Sequence, residues 1–178
     1  MRPPLRIALI ALVAVVVLAA VYQLRLRDIT VAGELVDSAP VATIGSGSEA
    51  VAVTADGKIL RWLPLPEDAA LPELPLTVAP EKDKLAGTLL AQARVLGTAP
   101  EAFRPYLASS YYGESGVDVE LRSGVELRFG DTSRLERKWR AAASVLADPS
   151  VTALDYVDLH APSHPAIGGS GRELPPIP

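Results

Sequence analysis

"GVDVELRSGVELRFGD", residues Gly116 to Asp131, holds two runs in which apolar and charged side chains alternate on either side of Ser123-Gly124. Val117, Val119 and Leu121 fall on one side of an extended chain, with Asp118, Glu120 and Arg122 on the other. Val125, Leu127 and Phe129 repeat the arrangement against Glu126 and Arg128. A period of two marks a strand with one buried and one wet face, so the stretch predicts an antiparallel hairpin. Two residues between the runs call for a primed turn, which glycine at position 124 permits.

Working outward, Gly130-Asp131-Thr132-Ser133 places capping residues ahead of a helix whose Leu135, Trp139, Ala142 and Leu146 form one apolar stripe. Arg134, Arg137, Lys138 and Arg140 line its polar side, read as a solvated surface, and the Trp139 stripe as core. After Asp148-Pro149, "VTALDYVDLH" predicts a closing strand. Before the hairpin, Leu85, Leu89, Ala93 and Leu96 recur at helical spacing from Glu81 onward, and Gly97 supplies the stop. Pro100-Glu101-Ala102-Phe103 opens a second short helix. Further back, "VATIG" and "EAVAVTADGKILRW" form a first hairpin signalled by Asp56-Gly57, and Pro64, Pro66, Pro72, Pro75 and Pro80 hold an irregular connection after it. The order is strand hairpin, helices, strand hairpin, helix, strand. It makes an α+β domain with an antiparallel or mixed sheet and helices packed on one side.

"IALIALVAVVVLAAVY", Ile7 to Tyr22, carries no charge, and from Leu5 to Leu24 only Arg6 interrupts the run. At about 1.5 Å per residue this reaches roughly 30 Å, the thickness of a bilayer core, so a transmembrane helix is expected over 5–24. The short basic leader has the layout of a signal sequence. It places the N-terminus inside and the remainder outside the membrane, as a retained anchor in preference to a cleaved signal peptide. The expected divisions are a cytoplasmic tail over 1–4, a linker with a remnant strand over 25–39, an extracytoplasmic β domain over 40–162 and a disordered tail over 163–178.

The 178 residues hold 17 basic and 21 acidic side chains, a net charge of −4, which repels phosphate backbones and argues against nucleic acid. With no cysteine, disulfides and thiol chemistry are excluded, and His160 and His164 are the only candidate nitrogen ligands for a metal. No carboxylate or cysteine completes a tetrahedral site at ligand spacing except Asp155 and Asp158, so exposed histidines at a strand end are the reading preferred. "GSGSE", Gly45 to Glu49, lacks the lysine of a phosphate loop and reads as a hairpin loop. No Gly-x-Ser-x-Gly occurs, and Ser123 sits in a turn without a neighbouring histidine. We therefore expect no catalytic residue, metal, cofactor or small-molecule substrate. The alternative is a membrane-anchored extracytoplasmic hydrolase or cell-wall enzyme that assembles a triad from a serine, His160 or His164, and an aspartate.

Three stretches together, "PVATIGSGSEAVAVTADGKIL", "VDVELRSGVELRFGDTSRLERKW" and "LDYVDLHAP", resemble in order the β domain of the FtsQ/DivIB family of bacterial cell-division proteins. The resemblance covers Pro40 to about Pro165 plus the anchor. It implies a non-enzymatic, single-pass protein of the cytoplasmic membrane, located at the division septum, that scaffolds septal cell-wall assembly by binding FtsB/DivIC-like and FtsL-like coiled-coil partners. The resemblance further implies that a partner adds a strand near the closing strand. Such addition requires a sheet edge with free N–H and C=O groups, expected at Tyr156, Val157, Asp158, Leu159 and His160. Tyr156, Leu159 and the preceding helix would then supply selectivity and Asp158 a structural role. His160 stands where the family has arginine. Members also place a POTRA domain between anchor and β domain, and only Arg25 to Ala39 intervene here, so the chain is expected to be a short form with that domain largely missing.

Overall fold

In the computed structural model, which describes residues 39–66, 70–169 and 171, strands β1 (Pro40–Ile44), β2 (Val51–Thr54) and β3 (Ile59–Leu60) form a meander. Helix α1 (Gly87–Gly97) and a 3-10 turn over Glu101–Tyr106 follow. Next come β4 (Leu107–Gly113), β5 (Gly116–Leu121), β6 (Glu126–Gly130), helix α2 (Leu135–Leu146), β7 (Tyr156–Asp158) and β8 (Ala166–Gly168). The expected membrane helix, the expected linker up to residue 38 and half of the expected tail lie outside the described residues. Among the described residues no helix is long and apolar enough to cross a membrane.

Both predicted hairpins form, each around a three-residue loop rather than two. Gly57 N–H donates to the Thr54 carbonyl at 2.9 Å, and Gly124 N–H to the Leu121 carbonyl at 2.7 Å. Both glycines have positive φ, +84° and +83°. "ADG" and "RSG" are thus the same device, a tight turn closed by a left-handed glycine, which explains why the residue before Ser123 belongs to the loop.

The sheet order is β4-β5-β6-β7-β8, antiparallel except for the β6–β7 pair, which α2 joins in parallel. The meander order is β1-β2-β3, and a single residue couples the two. Thr43 exchanges hydrogen bonds with the Pro72 carbonyl and Leu74 N–H, while Glu73 N–H donates to the Ala108 carbonyl and its own carbonyl accepts from Ser110 N–H. Glu73 therefore serves as a one-residue strand between β1 and β4.

Val117, Val119, Leu121, Val125, Leu127 and Phe129 are buried, as the alternation predicts, and share one core with Val95, Leu96, Phe103, Trp139 and Leu146. The mixed sheet with helices on its apolar face is the α+β arrangement expected. Trp139 stacks at a tilt on Phe129 and Phe103, centroids 4.7 and 5.5 Å away, and its indole N–H donates to the Val95 carbonyl at 3.0 Å. That bond pins α2 to the end of α1.

Several expectations are corrected. The helix from Glu81 begins only at Gly87, because Ile59 N–H takes the Asp83 carbonyl and Leu85 N–H the Gly57 carbonyl, holding that segment against the first hairpin. "LASSYYG" is a strand, β4, hidden in the sequence by a bulge between Leu107 and Ser109 that breaks its alternation. Lys138 is not on the polar face of α2. It is 1% exposed, and its three donors meet the Phe129 carbonyl (2.7 Å), the Asp131 carbonyl (2.9 Å) and Asp131 Oδ1 (2.6 Å). Asp131 and Ser133 do not cap α2. Arg134 occupies that position with φ +52°, and the Asp131 carboxylate is committed to Lys138 and Ser133.

Candidate docking edge at the end of the sheet

Along β7 the side chains alternate cleanly. Val157, and Leu159 beyond it, are fully buried in the core, while Tyr156 and Asp158 are half-buried on the opposite side of the sheet. The register sets Tyr111, Asp118, Arg128 and Asp158 in one row across β4 to β7, and Ser109, Glu120, Glu126 and Tyr156 in the next.

These rows are wired together. Tyr111 Oη donates to Glu126, whose other oxygen accepts from Arg128 at 2.8 and 3.1 Å. Arg128 in turn stacks on Tyr156, 3.9 Å from the ring centre. Tyr156 lies flat on Gly168, its partner on β8, where a Cβ would come within 2.5 Å of the ring. A chain of contacts thus runs from β4 to the last strand. Burial, and then the Glu126 hydrogen bond, push the Tyr111 hydroxyl well above its ordinary pKa. Asp118, beneath this layer, has a buried Oδ1 with no hydrogen-bond partner. Burial, with the nearby Glu126 charge, raises its pKa to about 6.

His160 ends β7 as a latch. Its backbone N–H and Nδ1 both meet Asp158 Oδ1, at 2.9 and 2.7 Å, and Nε2 lies 3.2 Å from the Ser115 carbonyl in the β4–β5 turn. The ring rests on Gly130, where a Cβ would come within 2.4 Å. Both ring nitrogens face acceptors, so the imidazolium satisfies both bonds at once. The Asp158 hydrogen bond accordingly raises the His160 pKa. For Asp158, burial acts upward, but the bonds from His160 outweigh it and the net direction is down.

The expected edge at Tyr156 to His160 is not an edge. Ala166–Gly168, assigned from sequence to a disordered tail, returns antiparallel to β7 and pairs Val157 with Ile167. The proline and glycine content that suggested disorder instead builds a tight return: His164 N–H donates to the Ala161 carbonyl at 2.9 Å, and Gly168 is the residue small enough to lie under Tyr156. Among the described residues, no strand lies beyond β8. Ile167 is 48% exposed there, on the side of the sheet that α2 covers. At the opposite end of the ladder, β3 is partly occupied by the Asp83–Leu85 segment. The open edge has therefore moved one strand outward, to β8.

The His160–Asp158 pair has the geometry of two members of a hydrolytic triad, yet Nε2 faces a backbone carbonyl rather than a hydroxyl. Ser123 Oγ lies near Val125 N–H in its own hairpin loop. The His164 imidazole Nδ1 lies 3.1 Å from the neighbouring Ser163 hydroxyl, and no group of three His, Cys, Asp or Glu suited to a metal occurs among the described residues.

No curated protein matches the chain significantly. The profile described as "Cell division protein FtsQ/DivIB, C-terminal" matches residues 42–160, about two thirds of the chain, from β1 to the His160 latch, and β8 lies beyond the match. That family is a non-catalytic one of the divisome, and by this match the chain belongs to it.

Proposed function

We propose that this protein is a non-enzymatic scaffold of the divisome that binds FtsB/DivIC-like and FtsL-like coiled-coil partners by strand addition at the β8 edge. The observation that carries the reading is the open edge of β8 with Ile167 exposed on it, backed by a closing strand that is locked in place. Main-chain hydrogen bonds along Ala166–Gly168 supply affinity, and a partner side chain packing on Ile167 supplies selectivity. Tyr156, Asp158 and His160 act from beneath: Tyr156 holds β8 flat, and the Asp158–His160 latch fixes the end of β7. Val157 and Leu159 stay in the core. In this reading residues 5–24 anchor the protein in the cytoplasmic membrane at the septum, with the β domain outside.

Photo-crosslinking from position 167 in the full chain tests the reading. Capture of a coiled-coil division protein from 167 supports it. Capture of that protein only from positions 156 or 158, with β8 displaced, would move the docking strand to β7, and no capture from any of them removes the mechanism.

A further inference from the structure

The outer face of α2 carries Arg134, Arg137 and Arg140, three exposed guanidiniums on successive turns. With Ser144 on the same helix, and Pro162 and Ser163 opposite, they line an open groove of about 410 Å³. Pro162 and Ser163 belong to the connection that leads into β8, so one wall of the groove is continuous in the chain with the Ala166 end of the docking edge. It also lies on the α2 side of the sheet, the side on which Ile167 is exposed, because cross-strand partners share a face and Ile167 pairs with the buried Val157.

The charge in the groove is unanswered. Elsewhere on the domain Arg61, Lys84 and Arg128 have carboxylates at 3.5, 3.3 and 2.8 Å. The three α2 arginines have no carboxylate partner among the described residues, and the single acid of α2, Glu136, forms no ion pair with Arg140 one turn on. This is a local positive surface on a chain of net charge −4. A planar guanidinium fork suits a carboxylate bidentately, and three in a row suit a run of them.

We infer that the groove receives an acidic segment of the same polypeptide whose strand adds to β8, so that one partner is gripped by its backbone at the edge and by its carboxylates on α2. The inference rests on strand addition at β8. Charge complementarity of this kind acts on partner choice and association rate more than on total affinity.

The test uses the full chain in native membranes with a photo-crosslinking residue at position 167 or, separately, at position 144. The expected result is that both capture the same polypeptide, with the site captured from 144 in an acidic stretch adjacent in sequence to the site captured from 167. In the triple variant Arg134→Glu, Arg137→Glu, Arg140→Glu, capture from 144 falls about tenfold or more while capture from 167 persists. The three side chains are exposed, so an unchanged thermal melt verifies that the variant folds. No capture from 167 overturns the docking edge itself. Normal capture from 167 overturns the groove assignment alone if position 144 captures a different protein, nothing, or phospholipid, or if charge reversal leaves its capture intact.

Discussion

The Arg128 guanidinium lies 3.9 Å from the centre of the Tyr156 ring, and the same ring covers Gly168. One aromatic side chain thus joins the body of the sheet to its last strand. Replacing Tyr156 by alanine removes the stack and uncovers β8. We expect a loss of about 1–2 kcal/mol in urea unfolding. Amide exchange at Ile167 and Gly168 is expected to accelerate while Leu127 remains protected.

Lys138 is the more severe position. Lys138→Met keeps most of the volume but leaves the Phe129 and Asp131 carbonyls without a donor. Roughly 3 kcal/mol of stability is expected to be lost, read as a lower denaturant midpoint. Asp131→Asn leaves both carbonyl bonds in place at a side chain 71% exposed, so its effect is expected to be well under half as large. The Lys138 hydrogen bond holds the Asp131 carboxyl well below the usual range. The stability it lends is present above pH about 4 and is lost as pH falls through that depressed value.

Stability is expected to decline as pH rises above about 4, with two separable causes. Asp118 keeps a proton up to pH about 6 in the folded state, whereas the unfolded chain loses it near pH 4, so ionisation weakens the fold across that interval. His160 has a raised folded pKa, so its contribution is complete below the unfolded value of about 6.5 and disappears as pH rises through the folded one. Thermal melts against pH are expected to lose the acid part of the slope in Asp118→Asn and the neutral part in His160→Gln. Unchanged slopes in both variants would contradict the assignment.

Ile167→Asp separates docking from folding. The side chain is half exposed on a terminal strand, so the melting temperature is expected to stay within a few degrees. Partner capture from position 167's neighbours is expected to drop severalfold. Gly168→Val is the converse, since a branched side chain under the Tyr156 ring is expected to dislodge β8 and lower stability and capture together.

The two hairpins and the α2 stripe were legible because alternation and helical spacing survive wherever one face packs on a common core. β4 was not, because its bulge puts Leu107 and Ser110 inward and interrupts the period of two. Lys138 misled for a related reason. A lysine at that helical position reads as solvated unless the reader knows that the end of β6 turns two carbonyls and Asp131 toward it. At the docking edge, Tyr156 to Asp158 form a strand, but β8 and not this strand closes the sheet, because exposure of a strand depends on what pairs beyond it. "PAIGG" offers three strand residues among breakers, too few for a periodic signal, and only the Tyr156–Gly168 fit gives them a place.

Glu73 gives the domain a mechanical character. Tension drawn from Pro40 toward a strand docked on β8 crosses the ladder at right angles to its strands, so hydrogen bonds are loaded one rung after another, as in opening a zip. Within the ladder the narrowest crossing lies between Glu73 and β4, which two backbone bonds join. Under pulling, that seam is where the amino-terminal meander is expected to part first, leaving the strands that hold the guest intact.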